Sequence, residues 1–208
     1  AVAAAERELV VGVRAIPEAT DFRDALYFGY DDGLDGVRRS LLEGLVVHDP
    51  ITAEASPGVA KQWRRDPTDQ TFFFFLDSEA RFHDGSAVVA DDFIRSWKDL
   101  LSRPNLRNHP SLSIFRSVVA NSGSLGIAQE QTATELDVVA ISKSVLKINL
   151  LRPYPYLVDL LLDPIFAPRK LSGEDLLQGG RLITNGAYQL EQVVEGEEIL
   201  VIKSNFYR

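Results

Sequence analysis

The hydrophobic pattern is clearest in one stretch of the first half of the chain, where it predicts a strand, a turn and a helix in that order. Thr71–Leu76 is a β-prone run with no Gly or Pro, and its unbroken apolarity is typical of a strand buried on both faces. The pair Asp84-Gly85 predicts a tight turn, because Gly accepts positive φ and Asp hydrogen-bonds its own backbone. Apolar residues then recur at helical spacing from Phe93 to Leu101, which predicts an amphipathic helix.

Similar patterns predict further elements on both sides of this stretch. Alternation or short apolar runs around turn residues predict three hairpins, with strands near 59–63 and 71–76, 138–141 and 145–151, and 188–194 and 199–202. A first strand is expected at 8–15, a helix over 34–45, a strand beginning at 46–47 and a helix from 157 to the Pro at 164. Residues 111–134 have poor periodicity, with only a local break at 122–124, and we predict mixed structure there.

Composition and charge describe a globular domain without a nucleic-acid partner. The 208 residues are 45% hydrophobic and 25% charged, with a net charge of -8 and no Lys/Arg cluster to neutralise phosphates. There is no Cys, so disulfides and Cys-rich zinc sites are absent. No apolar run approaches the roughly 20 residues that span a bilayer. The opening Ala-Val-Ala-Ala-Ala is typical of the end of a cleaved signal peptide, and a cloning remnant explains it equally well.

Catalytic and metal-binding patterns are missing from the sequence. The three histidines, His48, His83 and His109, are not spaced as metal ligands on one helix face, and there is no nucleophile elbow or P-loop. Adjacent acidic pairs diverge in space and fit helix starts or solvated turns better than an acid/base couple. Trp63 and Trp97 lie within apolar patterns and are interpreted as core residues. We therefore expect neither an enzyme nor a bound cofactor.

An ordered series of short motifs resembles the extracellular solute-binding proteins of ABC importers, of the oligopeptide, dipeptide and nickel type. The series covers most of residues 34–208 and departs from the family's pattern before Gly33. The motifs that match, in order, are Leu41-Leu42-Glu43-Gly44-Leu45, Pro57-Gly58-Val59-Ala60-Lys61-Gln62-Trp63, Thr71–Leu76, Arg81–Gly85, Ala90–Trp97, Pro153-Tyr154-Pro155-Tyr156, Ala167-Pro168, Thr184-Asn185-Gly186-Ala187-Tyr188 and Asn205-Phe206-Tyr207.

The resemblance implies an α/β fold of mixed α+β type, a periplasmic-binding-protein-like (type II) lobe with a mixed sheet and an inserted β-rich subdomain. It implies a discontinuous base lobe of residues 1–45 and 147–208, with residues 46–146 as the insert. Family members are considerably longer and enclose their ligand with a second lobe. The chain is therefore expected to be a fragment or a shortened form, in which the second lobe is absent.

The function implied is capture of extended oligopeptides and their delivery to the membrane permease subunits of an ABC transporter. The family contributes ligand contacts from the segment before the first helix, which points to Tyr30, Asp31 and Asp32, and by looser alignment to Ser111. The chain alone is expected to bind peptide weakly, to be a monomer and to reside in the periplasm or outside the cell in association with the membrane. Peptide, nickel, haem and sugar remain open as ligands, and a non-transport protein-interaction module that reuses the lobe is the alternative function.

Overall fold

Strands and short helices alternate along the chain. The computed structural model describes residues 8–10, 34–103, 106–119, 136–170, 183–194 and 198–208. The strands are β1 (Glu8–Val10), β2 (Val46–His48), β3 (Ala55–Pro57), β4 (Ala60–Arg65), β5 (Thr71–Leu76), β6 (Val138–Ser142), β7 (Val145–Asn149), β8 (Tyr188–Val194) and β9 (Glu198–Lys203). The helices are α1 (Asp35–Leu41), α2 (Ala90–Ser102), α3 (Pro110–Val118), α4 (Leu157–Leu160) and a 3-10 turn (Pro164–Phe166). Of these helices, none combines the length and apolarity that crossing a bilayer requires.

Two of the predicted hairpins lie in one four-stranded antiparallel sheet, whose strand order is β4-β5-β7-β6. The hairpin β4–β5 turns through residues 66–69, and the hairpin β6–β7 turns through Lys143 and Ser144, both as predicted. Strand β7 lies between β5 and β6, with Phe73 opposite Lys147. The pairing of β5 with β7 joins segments about 70 residues apart in sequence, and local periodicity carries no information about it.

Strand β5 is buried on one face only, so the prediction of burial on both faces is wrong. Phe72, Phe74 and Leu76 are buried, whereas Phe73 and Phe75 are only half-buried. The strand lies in a two-layer arrangement whose helices cover a single face of the sheet. An apolar run alone does not reveal how many layers surround a strand, because it specifies only that the strand can be buried.

Helix α2 supplies the centre of the larger core, as its amphipathic pattern predicts. Trp97 is 1% exposed, and its indole N–H donates to the Phe166 carbonyl at 2.9 Å. Its ring contacts Phe93 and Phe115 edge to face, with centroids 5.9 and 5.3 Å away. Edge-to-face aromatic pairs add stabilisation beyond the area that they bury. The interpretation of Trp97 as a core residue is confirmed.

Helix α3 supplies regular structure at the start of residues 111–134, where the poor periodicity predicted only mixed structure. Its first residue is Pro110, and Leu112, Phe115 and Val118 are all buried. Proline is favoured at the first helical position because its missing N–H has no partner there and its φ is already helical. The His109-Pro110 pair was therefore a start signal in the sequence. Residues 120–135 lie outside the described part of the chain.

The third predicted hairpin forms a second, three-stranded sheet of order β1-β9-β8. Strand β1 pairs with β9 over residues 8–10, with Leu9 opposite Val201. The rest of the first strand predicted at 8–15 lies outside the described residues. All pairings between the described strands are antiparallel, so the parallel pairs of a mixed sheet do not occur among them.

Buried apolar side chains form two separate clusters. The larger cluster runs from Leu45 to Phe166 and contains the inner face of the four-stranded sheet together with α2 and α3. The smaller joins α1 to the three-stranded sheet. Its members are Leu34, Val37, Leu41, Leu42, Ala167, Ile199 and Val201. The chain therefore leaves the smaller cluster after Leu42 and returns to it at Ala167.

Candidate functional site

The predicted ligand segment leads directly into α1. Tyr30, Asp31 and Asp32 lie outside the described residues, so the structure does not test their proposed role. The described part of the chain resumes at Leu34, which is fully buried, and α1 begins one residue later. Helix α1 is therefore the first described element that follows that segment along the chain. Its last turn carries Arg38 and Arg39.

Ser111 is engaged within the protein. Its hydroxyl donates to Asp163 Oδ2 at 2.5 Å, and both side chains are half-buried. The other carboxylate oxygen of Asp163 accepts the Ile165 N–H at 3.0 Å and so caps the 3-10 turn. The Ser111 hydroxyl therefore joins the start of α3 to the end of the α4 segment, and its proton is already donated to Asp163.

His109, just before α3, lies in a buried polar cluster with Asp163. Burial lowers the pKa of His109 below its usual value, the Asp163 carboxylate acts in the opposite direction, and the charges of Arg38, Arg116 and Arg169 lower the pKa further. Arg169 is itself 3% exposed. From the sequence this histidine is considered only as a possible metal ligand, because Arg38 and the segment at residues 163–169 lie far from it along the chain.

A cleft of about 230 Å³ opens next to this cluster. Its walls come from the end of α1, from β2 and from the segment between α4 and the 3-10 turn. The polar side chains in it include Arg39, His48, Asp163 and Tyr207. Arg39 is held in place, because its Nε contacts Asp35 Oδ2 at 2.7 Å and its Nη1 donates to the Leu162 carbonyl at 3.3 Å. The cleft is smaller than the roughly 300 Å³ at which sites that enclose a whole ligand begin, so it fits a single side chain or end group.

The loop at residues 183–187, here called the Asn185 loop, ties α1 to the larger cluster. Asn185 Nδ2 donates to the Glu43 carbonyl at 2.8 Å, and the Glu43 N–H donates to Asn185 Oδ1 at 3.1 Å. On the other side of the loop, the His83 N–H donates to the Thr184 carbonyl at 2.8 Å. Both predicted motifs, the Asp84-Gly85 turn and the Thr-Asn-Gly-Ala-Tyr segment, therefore meet in space.

A second ionic group, with two buried carboxylates, lies at the junction of the two clusters. The Arg208 guanidinium contacts Glu43 Oε2 and Asp77 Oδ2, each at 2.9 Å, and donates to the Gly58 carbonyl at 2.5 Å. Tyr207 donates to Glu43 at 3.2 Å. Burial raises the pKa of Glu43, while the charge and hydrogen bonds of Arg208 oppose that rise. These groups satisfy one another, so we interpret them as structural rather than ligand-binding.

Metal chemistry has little support in the part of the chain that the structure describes. No group of three His, Asp or Glu side chains is placed there to hold an ion. The cleft and the buried cluster offer hydrogen-bond donors, acceptors and one wall of apolar surface. Such an arrangement suits non-covalent binding of a small polar group.

Comparison with known proteins supports the family resemblance drawn from the motifs. Residues 54–208 match the family described as bacterial extracellular solute-binding proteins, family 5 middle. The periplasmic murein peptide-binding protein MppA of Escherichia coli is 31% identical over 212 aligned residues, which cover 99% of this chain and 38% of MppA. The periplasmic oligopeptide-binding protein OppA of Salmonella typhimurium is 32% identical over 82% of this chain and 32% of its own length.

Solved structures show the same fold. The unliganded open form of MppA superposes with a TM-score of 0.82 at 30% identity, over 98% of this chain and 39% of that one. Haemophilus influenzae OppA, solved in complex with the peptide RPPGFSPFR, superposes with a TM-score of 0.73 at 27% identity, over 82% of this chain and 34% of that one.

The chain spans about a third of the length of these relatives. The resemblance and the periplasmic-binding-protein-like fold predicted from the motifs are confirmed by the family match and by these superpositions. The chain belongs to the bacterial extracellular solute-binding proteins of family 5, which are binding proteins rather than enzymes.

Proposed function

We propose that this chain is part of the substrate-binding component of a peptide ABC importer, which captures extended oligopeptides and delivers them to membrane permease subunits. The observation that carries the proposal is the likeness to MppA in its unliganded open form over 98% of this chain. The name of MppA states that it binds murein peptide, and the H. influenzae OppA structure contains a peptide. Capture requires no covalent step, so the function proposed is binding without catalysis.

The proposed peptide contacts come from the segment before α1 and from the start of α3. Tyr30 would form a wall, Asp31 or Asp32 would pair with a ligand amine, and backbone groups of the segment would pair with the peptide main chain. Since the Ser111 hydroxyl is held by Asp163, a contact from Ser111 would use its main-chain N–H in the first turn of α3. The 230 Å³ cleft beside Arg39 would receive one end group or side chain.

The division into a base lobe (1–45 and 147–208) and an inserted subdomain (46–146) remains a proposal. The two buried clusters support a first boundary at Leu45. They favour a second boundary near Phe166, because β7, α4 and the 3-10 turn all contribute to the larger cluster. We therefore propose that the insert extends beyond residue 146 to about residue 166. A second lobe would be needed to close over the ligand.

The remaining proposals concern location and assembly. The relatives MppA and OppA are named as periplasmic proteins, and we propose a periplasmic or extracellular location in association with the membrane for this chain. We propose that it is a monomer that presents its ligand to ABC permease subunits. The permease contact would require the closed form of the whole binding protein.

The proposal is tested by titrating the isotope-labelled chain with a mixed library of short peptides while amide chemical shifts are recorded. We expect small, saturable shift changes in the first turns of α1 and α3. The affinity should be weaker than micromolar, because one of the surfaces that enclose the peptide is missing. A double Asp31→Asn/Asp32→Asn variant should lose the response to peptides with a free amine. Micromolar or tighter binding would contradict the prediction that the chain alone binds peptide weakly. A response to sugars but not to peptides would contradict peptide capture.

A further inference from the structure

The outer face of the four-stranded sheet carries an ordered apolar array. This face is defined by the positions that alternate with the buried ones, and it lies opposite α2 and α3. The strand pairings place Arg64, Phe73, Lys147 and Val139 side by side in one row across β4, β5, β7 and β6. The next row holds Gln62, Phe75 and Val145, followed by the irregular end of β6. Apolar side chains therefore occupy adjacent positions on three of the four strands.

These side chains are accessible to solvent. Val139 is 44% exposed and Ile141, at the β6 irregularity, is 58% exposed, while Phe73, Phe75 and Val145 are half-buried. An antiparallel sheet with one solvated face ordinarily alternates apolar and polar residues, so polar side chains are expected at these positions. A contiguous apolar surface on a soluble protein commonly marks an interaction site. The outer face therefore has the properties of a surface that a partner covers.

The charged groups on the outer face are mainly cationic. The Arg64 guanidinium lies over the Phe75 ring, 5.5 Å from its centroid. Lys147 lies between Phe73 and Val139 in its row and is half-buried, which is typical of an aliphatic stem lying along an apolar surface. Neither Arg64 nor Lys147 forms an ion pair with a carboxylate in the described part of the chain, although the net charge of the protein is -8.

The adjoining row holds one carboxylate, Asp137, so the two cations, Arg64 and Lys147, still outnumber the anion. Asp137 accepts a hydrogen bond from Asn149 Nδ2 at 2.6 Å, and Asn149 in turn neighbours Thr71. The outer face thus ends in a polar row, and the two cations lie in the next row, beside Phe73 and Val139. Charge complementarity favours a partner that brings carboxylates next to apolar side chains.

The geometry and charge of the outer face distinguish between the kinds of partner that could cover it. An extended chain would pair with the edge strands β4 or β6 rather than lie on the face. A second copy related by two-fold symmetry would place the same cationic patch against itself. A helix is about 10 Å in diameter and covers roughly two strands spaced about 4.8 Å apart, which matches the apolar rows. An anionic membrane surface would repel the remainder of this acidic chain.

We propose that the outer face docks an acidic amphipathic helix of another protein, with its apolar stripe on Phe73, Phe75 and Val139 and its carboxylates beside Arg64 and Lys147. This helix would complete a third layer on the sheet, as helices do in folds where both faces of a sheet are covered. The docking surface is separate from the Ser111–Asp163 region and does not depend on the proposed peptide capture.

The test uses two synthetic helical peptides that share one Leu stripe and carry either Glu or Lys beside it. Binding to the 208-residue chain is measured by fluorescence anisotropy at low and at physiological salt. We expect the Glu peptide to bind at least about tenfold more tightly than the Lys peptide, with the difference falling as salt rises. Arg64→Glu/Lys147→Glu should abolish or reverse the preference, and Phe73→Thr/Phe75→Thr should weaken both peptides.

Lys203→Glu is the matched control, because Lys203 is exposed at the end of β9 in the separate three-stranded sheet, and the change should leave binding unchanged. The proposal is overturned if the two peptides bind equally, if neither binds, or if Arg64→Glu/Lys147→Glu has no effect in a folded protein. It is also overturned if light scattering detects a dimer that Phe73→Thr/Phe75→Thr dissociates, or if binding is confined to phosphatidylglycerol vesicles. The charge-reversal variant keeps Phe73 and Phe75, so it remains informative if the Thr variant does not fold.

Discussion

Asn185 and Glu43, 142 residues apart, are joined by two reciprocal hydrogen bonds. The Asn185 amide donates to the Glu43 carbonyl at 2.8 Å and accepts from the Glu43 N–H at 3.1 Å. Both residues are buried, with 2% and 6% of their surface exposed. The side-chain amide thus satisfies main-chain groups just beyond the end of α1, where the helix no longer supplies partners. This pair joins the Asn185 loop to the beginning of the larger cluster.

Asn185→Asp is predicted to destabilise the protein strongly. The change replaces the Nδ2 donor by a carboxylate oxygen that faces the Glu43 carbonyl, and it introduces a charge at a position that is 2% exposed. We expect a loss of about 3 to 5 kcal/mol in the free energy of unfolding, measured by urea denaturation. The control is Asn205→Asp at an exposed position, which should change stability by less than about 0.5 kcal/mol. Equal effects of the two changes would contradict the role assigned to the pair.

Gly186→Ala is predicted to be poorly tolerated. A Cβ at this position would lie 2.4 Å from both the Leu41 carbonyl carbon and the Ser40 carbonyl oxygen, which are backbone atoms and cannot rotate away. Because the loop must shift and its bonds to α1 must lengthen, we expect a loss of about 2 to 4 kcal/mol by thermal and urea unfolding.

Gly36→Ala is the matched control for this change. Gly36 is in α1, and a methyl group added there would have no atom of another segment within 4 Å. Ala is favoured over Gly in a helix by about 0.5 to 1 kcal/mol, so this variant should be slightly more stable than the parent. A neutral Gly186→Ala variant would show that the loop and α1 are not in close contact.

Ser111→Ala is predicted to act on structure near the proposed site. It removes the donor to Asp163 Oδ2 and leaves a half-buried carboxylate with one partner fewer, so we expect a loss of about 1 to 3 kcal/mol in unfolding experiments. Ser113→Ala on the exposed side of the same helix is the control and should be nearly neutral. If Ser111→Ala leaves stability unchanged, the Ser111–Asp163 contact has no structural role.

The lowered pKa of His109 predicts a pH dependence of stability. An unfolded histidine titrates near ~6.5, whereas burial and three nearby arginines lower the pKa in the folded protein. As pH falls below ~6.5, the unfolded chain therefore binds a proton that the folded chain does not, and stability decreases. His109→Gln should therefore reduce the fall of the urea midpoint between pH ~6.5 and the lower pKa that His109 has in the folded protein.

Ser113→Ala provides the comparison for this experiment. Ser113 is exposed on α3, close in sequence to His109, and its replacement neither adds nor removes a titratable group, so the dependence on pH should stay as in the parent. An unchanged slope for His109→Gln, or a slope altered equally by both variants, would contradict the assignment to His109.

The four-stranded sheet illustrates how far the pattern of residues reaches. Each hairpin was predictable, since alternation of apolar and polar positions with turn residues between them is a local property. The placement of β7 between β5 and β6 was not, because it depends on which edges meet when the core closes. The same step decides that Phe72 and Phe74 are covered by α2 and α3 while Phe73 and Phe75 are left on the outer face.

The candidate site shows the same difference between what local sequence patterns predict and what the packing of distant segments decides. From the sequence alone came the helices other than α3, the hairpins, the turn at Gly85 and, through the ordered motifs, the family. All of these rest on neighbours within a few residues or on the order of the motifs. Only the tertiary structure brought Ser111 to Asp163, His109 to three arginines and Asn185 to Glu43, because side chains from distant segments become partners only after the two clusters have packed. The proposed role of Tyr30, Asp31 and Asp32 remains a prediction from the sequence.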